Sequence, residues 1–137
     1  MRLPLRLISG LAFVLLAGAG GCEGEAPSSD VITVPSGREV QFLDVITNAP
    51  GPSGSAARFR FVVPGLSADD AQAASADMQA LCDTYALPRT EGMVPKPQQI
   101  IISLAASATP FGEAAPDVTQ FFEAYTLKDD ACIWEVF

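Results

Sequence analysis

The chain has 137 residues, of which 49% are hydrophobic and 18% charged, and it contains 16 acidic residues, 8 basic residues and no histidine. Its length predicts one folded domain, because chains of up to about 150 residues usually hold a single core. The net charge of −8 argues against nucleic-acid binding, which requires clustered lysine and arginine. The lack of histidine excludes Ser-His and Cys-His catalytic dyads and metal sites that need imidazole.

Residues 1–21 have the layout of a secretory signal peptide. Arg2 and Arg6 precede an apolar run over residues 7–17, and small residues follow as far as Cys22. The run is shorter than the ~20 apolar residues that a membrane span needs. Two cleavage sites are compatible with the sequence: residues 17–19 (AGA) resemble a signal peptidase I site, and residues 19–22 (AGGC) resemble a lipobox with alanine where leucine is usual. Both predict export to the periplasm.

Three cysteines make an odd number, which is unusual in an exported protein because thiols tend to pair in oxidising compartments. Lipidation of Cys22 would remove one thiol and leave Cys82 and Cys132 to form a disulfide. Such a bridge stabilises the fold by about 4 kcal/mol on the loop-entropy model. The alternative is that Cys22 is lost with the signal peptide or stays free. We therefore expect a membrane-anchored lipoprotein in which residues 22–30 are a lipidated tether and residues 31–137 a single domain.

Cleavage before Cys22 also removes Arg2 and Arg6, which takes the net charge from −8 to −10. Anionic membrane surfaces repel a protein of this charge. The sequence therefore predicts membrane contact only through the lipid at Cys22.

The first part of the domain predicts three strands. Residues 31–34 and 38–46 are apolar or β-branched segments separated by turn residues, and residues 48–54 are a proline- and glycine-rich stretch that predicts an exposed loop outside the ladder. Residues 58–63 alternate between two faces. One face carries Phe59, Phe61 and Val63, and the other carries Arg58, Arg60 and Val62.

One long helix is predicted after this strand. Ser67 and Asp70 have capping-box spacing, and Pro88 is expected to end the helix near Leu87. At 100° per residue, six side chains share one arc that should face the core. These are Ala71, Ala74, Met78, Leu81, Cys82 and Tyr85.

The C-terminal part predicts three more strands. Residues 99–105 are β-branched, and residues 119–127 and 131–137 flank a hairpin turn at residues 128–130. An alternative is that residues 121–125 begin a helix. The predicted fold class is α+β, with a mostly antiparallel sheet of about five strands, one long helix packed on one face, and the order β-β-β-α-β-β-β. If Cys132 faces the helix, Trp134 and Val136 share its face.

Few side chains in the sequence indicate a catalytic or binding site. The aspartate pairs at residues 69–70 and 129–130 are better explained as a helix start and a solvated turn than as calcium ligands. The sequence contains no glycine-rich phosphate-binding loop. We therefore predict neither a metal nor a cofactor. Arg58 and Arg60 share a strand face, which favours an anionic ligand or a partner's carboxylates. The alternative is a polar face on which they meet acids such as Glu39 or Glu123.

Two further groups of residues have competing interpretations. Cys82 and Cys132 form a structural disulfide or, less simply, a redox couple, although no C-x-x-C motif is present. Four aromatic residues are expected in the core, with a ligand-binding aromatic patch as the alternative. They are Phe121, Phe122, Tyr125 and Trp134.

Four segments resemble a family of short exported Gram-negative bacterial proteins of unknown function. The segments are residues 35–40 (PSGREV), 81–88 (LCDTYALP), 121–125 (FFEAY) and 132–135 (CIWE). The resemblance implies no activity, cofactor or site residue. Some members carry an automatic label of acetolactate synthase, which this chain does not support. A thiamine-diphosphate enzyme needs a far longer chain and a cofactor-binding segment that nothing here resembles.

The leading hypothesis is a non-catalytic cell-envelope lipoprotein domain that acts in protein interaction or structure, through a sheet face or edge. The alternative is a soluble periplasmic protein that binds a small ligand at Arg58 and Arg60 or in a pocket between helix and sheet. A hydrolytic enzyme that uses two carboxylates is the third and least favoured hypothesis.

Overall fold

A computed structural model describes residues 31–47, 49–51 and 54–136, and six strands and one helical segment follow each other as β-β-β-α-β-β-β. The strands are β1 (Gln41–Ile46), β2 (Pro50–Gly51), β3 (Gly54–Val62), β4 (Gln99–Ala105), β5 (Gln120–Lys128) and β6 (Ala131–Glu135). The helical segment consists of a 3-10 turn (Ala68–Asp70), helix α1 (Ala71–Leu81), a π-helical turn (Cys82–Ala86) and the short α2 (Leu87–Arg89). The α+β prediction is confirmed, whereas the predicted signal peptide and tether lie outside the described residues.

The strands form one sheet in the order β1-β3-β4-β5-β6, with the short β2 paired to the start of β3. All pairs are antiparallel except β3 and β4, which run parallel because the helical segment carries the chain back along the sheet. Asp129 and Asp130 join β5 to β6 with φ values of 53° and 57°. Positive φ at both positions is typical of a type I′ turn, so the predicted hairpin is confirmed and the alternative helix start in β5 is wrong.

The helical segment begins where the sequence predicts. The backbone N–H of Ser67 donates to Oδ2 of Asp70 at 2.8 Å, which is half of a capping box. The segment then continues through Pro88 to Arg89, so the predicted end near Leu87 is wrong. A proline ring clashes with the carbonyl four residues earlier in a regular α-helix, and the wider π-helical turn just before Pro88 relieves that conflict. No helix among the described residues is long and apolar enough to cross a membrane.

The core lies between the helical segment and one face of the sheet. Ala74, Met78, Leu81 and Cys82 are buried as predicted, but Ala71 is exposed because it starts α1 beyond the sheet contact. The sheet contributes six nearly inaccessible side chains, Phe59, Phe61, Ile100, Ile102, Leu104 and Tyr125. The Cys82–Cys132 disulfide joins the helical segment to β6 with a Cα–Cα distance of 6.2 Å, which confirms the predicted pairing.

Two predictions about the first strands are wrong. Residues 31–34 are not a strand; Ile32 and Val34 pack into the core, and Ser36, just after them, donates to Asp77 of α1 through its backbone N–H at 2.9 Å and its hydroxyl at 2.5 Å. The stretch 48–54 is not wholly outside the ladder, because Pro50 and Gly51 pair with Ser55 and Gly54. A Cβ atom on Gly51 would lie 2.5 Å from Gln99 Oε1 and 2.7 Å from the Cβ of Ala56, so this pairing requires glycine.

Candidate functional site

The face of the sheet that points away from α1, called the open face below, carries both arginines singled out by the sequence. Strand alternation places Arg58 and Arg60 there, while Phe59 and Phe61 point into the core. The register sets Arg58 opposite Ile101 of β4, and Arg60 opposite Ser103. The sequence therefore predicted correctly that the two arginines share a face.

Arg60 is held in place by three hydrogen bonds. Its Nε and Nη2 atoms donate to the two carboxylate oxygens of Asp44 at 2.6 and 2.7 Å, and its Nη1 atom donates to the carbonyl oxygen of Thr109 at 2.8 Å. The hydrogen bonds to Asp44 raise the pKa of Arg60. Arg60 thus ties β3 both to β1 and to the loop between β4 and β5, and its charge is neutralised within the domain.

Arg58 differs from Arg60 in having no acidic partner. It is half-buried, yet no carboxylate among residues 31–47, 49–51 and 54–136 forms an ion pair with it. Burial, together with the charge of nearby Arg60, lowers the pKa of Arg58. A guanidinium still remains protonated in proteins. The positive charge of Arg58 is therefore partly desolvated and is not neutralised by any carboxylate of the described residues.

Phe111 lies over both arginines. Its ring centroid is 5.6 Å from Cζ of Arg58 and 5.7 Å from Cζ of Arg60, within the range of a cation–π interaction. Together these side chains bound a cavity of about 170 Å³, called the Arg58 cavity below. The residues that carry its chemistry are Arg58, Arg60, Ser103, Phe111, Glu113 and Gln120.

The alternative interpretation of the arginines named the wrong acids. The partner of Arg60 is Asp44, not Glu39 or Glu123. Glu123 lies on the opposite face of the sheet, where its carboxylate accepts hydrogen bonds from Ser75 and Tyr125. A register shift in β1 between Phe42 and Asp44 turns Asp44 toward Arg60, and the sequence pattern does not reveal such a bulge.

The four aromatic residues expected in the core divide into two pairs. Tyr125 is fully buried and Phe121 packs against the core, as predicted. The prediction is wrong for Phe122, which is 69% exposed on the open face, and for Trp134, which is 52% exposed beside the helix. Trp134 does share the face of Cys132, but it lies at the edge strand, where little of the helix covers it. Val136 is also exposed.

The acidic pairs have structural roles. Asp70 caps the helix and forms an ion pair with Arg38 at 2.7 Å, and the hydrogen bond from the Ser67 backbone lowers the pKa of Asp70. Asp129 and Asp130 form the hairpin turn. Among the described residues, no three acidic or cysteine side chains are grouped closely enough to hold a metal ion.

Sequence reasoning missed Asp44 and Phe111 as parts of the site. The only signal for Asp44 is a carboxylate between the apolar residues Leu43 and Val45, and the only signal for Phe111 is a large aromatic residue between Pro110 and Gly112 in a loop. Neither signal indicates that its residue meets an arginine more than ten positions away.

The fold and the site define a disulfide-bonded α+β domain with a helix on one sheet face and, on the other, an arginine that has no carboxylate partner among the described residues. The chain belongs to a family of unknown function, DUF6497, whose model matches residues 15–137. No match to the chain was found among curated proteins or among solved structures.

Proposed function

We propose that the chain is a non-catalytic domain of the cell envelope, anchored by a lipid at Cys22, that binds a carboxylate of another envelope component in the Arg58 cavity. The observation that carries this proposal is the half-buried guanidinium of Arg58, which no carboxylate of the described residues neutralises. Removing charge from water costs free energy unless a partner compensates. An arriving carboxylate supplies that compensation.

The chemistry of the cavity favours a carboxylate over a phosphate. Arg58 has no carboxylate partner among the described residues, so one negative charge matches its guanidinium, and the planar donors of the guanidinium fit the two oxygens of a carboxylate. Glu113 also lines the cavity and opposes a doubly charged group. The volume of about 170 Å³ is well above the ~10–15 Å³ that a single water molecule needs on this measure, which leaves room for a carboxylate and a short carbon chain.

The surroundings of the cavity favour a protein partner. Phe122, a large apolar residue that is 69% exposed, lies on the open face opposite Ser103, which lines the cavity. Apolar surface next to an unpaired charge is typical of an interaction site, in which desolvation strengthens the charged contact. Binding of this kind needs only a guanidinium in a fixed position. Arg60 anchors the loop at Thr109, and Phe111 of the same loop lies over the Arg58 guanidinium.

Photo-crosslinking in cells tests the proposal. A photoreactive phenylalanine analogue at Gln120, which is exposed and lines the Arg58 cavity, is expected to capture one defined envelope protein. Arg58→Gln should abolish the adduct, whereas Lys96→Gln, which removes the same charge from an exposed loop residue, should not. The same analogue at Thr84, on the outer side of the helical segment, provides the position control. An adduct that persists in Arg58→Gln contradicts the proposal.

The second candidate, a small-ligand-binding protein, is favoured by the small volume of the cavity. In that case Gln120 captures no protein, and acetate or propionate raises the melting temperature of the mature chain but not of Arg58→Gln. Lipid attachment is tested separately by mass spectrometry of the mature N-terminus. Acylated Cys22 is expected, and an unmodified chain that starts at Gly20 rules out the anchor. If Gln120 captures no protein and no carboxylate ligand raises the melting temperature, the Arg58 cavity is ruled out as a binding site.

A further inference from the structure

Trp134 is an exposed aromatic residue on a rigid support. It lies on β6 directly opposite Tyr125 and two residues after Cys132, whose disulfide joins β6 to the helical segment. Nε2 of Gln79 also donates to the carbonyl oxygen of Cys132 at 3.1 Å. The backbone next to Trp134 is therefore fixed to the helix at two points, although the indole itself is half exposed. An exposed tryptophan held in this way offers a flat apolar surface to a ligand.

Glu123 lies beside Trp134, and two neutral hydroxyl groups donate hydrogen bonds to its carboxylate. One carboxylate oxygen accepts a hydrogen bond from Ser75 Oγ at 2.8 Å, and the other accepts one from the Tyr125 hydroxyl at 2.9 Å. Burial and the neighbouring carboxylate raise the pKa of Tyr125, which keeps the hydroxyl a donor. Within the described part of the chain, no lysine or arginine forms an ion pair with Glu123. Each oxygen retains acceptor capacity for a further donor.

These side chains border a groove of about 350 Å³ between α1 and the edge of the sheet, called the helix-edge groove below. Its lining residues are Gln72, Ser75, Ala76, Gln79, Glu123 and Trp134. The lining has one carboxylate, one indole and two amides, and none of these six residues is basic. Gln79 also donates to Asp83, which adds a second acidic residue nearby. The electrostatics of the groove favour a cation.

We infer that the helix-edge groove binds an arginine side chain of a partner protein, with the guanidinium stacked on Trp134 and hydrogen-bonded to Glu123. A guanidinium is planar, always charged and weakly hydrated, so it stacks on an indole and bonds to a carboxylate with its edge. The groove is open and shallow, which suits a side chain protruding from another protein surface. This inference goes beyond the proposed function, because the groove is on the helix side of the sheet and the Arg58 cavity is on the open face.

Fluorescence measures occupancy of this groove directly, because Trp134 is the only tryptophan in the chain. The probe is an acetylated, amidated tetra-arginine peptide, titrated into the full mature chain. We expect a saturable change in indole fluorescence that weakens with added salt. The matched tetra-citrulline peptide has nearly the same shape without charge and should produce no saturable change.

Ala76→Arg tests the position of the site. This exposed residue lines the groove, so a new arginine there occupies the site or repels the probe and should weaken binding at least tenfold, or about 1.4 kcal/mol. Ala73→Arg makes the same charge change on an exposed part of α1 that does not line the groove, and its affinity should stay within about twofold. Equal loss in both variants means that only net charge matters and overturns the inference.

Glu123→Gln tests the chemistry of the site. It keeps an acceptor for Ser75 or Tyr125 but removes the charge, and we expect about tenfold weaker binding. Asp117→Asn removes one charge from an exposed loop and should have little effect. A tetra-citrulline peptide that binds as tightly as tetra-arginine, or no fluorescence change with either peptide, rules out the arginine site. The outcome is independent of the Arg58 experiments, because those use variants on the other face of the sheet.

Discussion

The two faces of the sheet differ in how completely their side chains are buried. The face under the helix buries two phenylalanines, three large aliphatic residues and a tyrosine almost completely. The open face buries a small cluster of Ala56, Ile101 and Ala124 together with Gln99 and Ala105, and it also holds an arginine with no carboxylate partner among the described residues and exposed apolar side chains. Because the helix face supplies most of the core, the open face can carry side chains such as Arg58 and Phe122 that contribute little to stability. We therefore expect stability and binding to separate by face.

The largest expected loss of stability comes from comparing two phenylalanines, one on each face of the sheet. Phe59→Ala removes a fully buried ring from the helix face and should lower the free energy of unfolding by about 3–5 kcal/mol. Phe122→Ala, on the exposed open face, should change it by about 0.5 kcal/mol or less. Urea denaturation of both variants measures the difference. Similar losses for the two substitutions would show that the open face also supports the fold.

The disulfide contributes to stability on the helix face of the sheet. Replacing both Cys82 and Cys132 with alanine should lower the free energy of unfolding by about 2–4 kcal/mol, since it frees a 50-residue loop in the unfolded chain. The midpoint of urea denaturation measures this loss. Chemical reduction of the wild-type chain is the control, because it breaks the bridge without removing side chains. An unchanged midpoint in both would mean that the bridge adds nothing to stability.

The fold was predictable wherever side-chain periodicity was strong. Alternation at Phe59 and Phe61 assigned β3 to its two faces, and the stripe from Ala74 to Cys82 placed the disulfide in the core. Strand order was not predictable, because period-two patterns give faces but not neighbours. Residues 31–34 have strand propensity but form no strand, and the nearby Ser36 bonds to Asp77 of α1 instead. A contact between residues so distant in the chain leaves no local signal.

The candidate site was predictable only in part for the same reason. Two arginines on one strand face can be derived from spacing, but which of them finds a carboxylate depends on the bulge that orients Asp44. Phe111 reaches the site from a loop whose path has no periodic pattern. The exposure of Trp134 follows from its position on an edge strand, and strand order is again the missing information.

The arginine pair offers a sharper comparison within the open face. Arg60→Gln breaks the paired hydrogen bonds to Asp44 and the bond to the Thr109 carbonyl, and should lower the free energy of unfolding by about 1–3 kcal/mol. Arg58→Gln breaks no ion pair and should shift it by about 0.5 kcal/mol or less. Thermal and urea denaturation check both values. If Arg58→Gln is as destabilising as Arg60→Gln, Arg58 has a structural role and the argument for a binding site on the open face is lost.

Gln99 is a completely buried polar residue on the open face. Its side chain is completely buried beneath Gly51, and neither amide atom has a hydrogen-bond partner among the described residues. A buried amide without partners costs free energy that an apolar side chain of similar size avoids. Gln99→Met should therefore raise the free energy of unfolding by about 1 kcal/mol, as measured by the urea midpoint. Ile101→Met, two residues along the same face, is the control for packing alone and should be neutral or slightly destabilising. A loss of stability in Gln99→Met would mean that the amide is satisfied in solution, and that the open face is as well compensated at this point as the helix face.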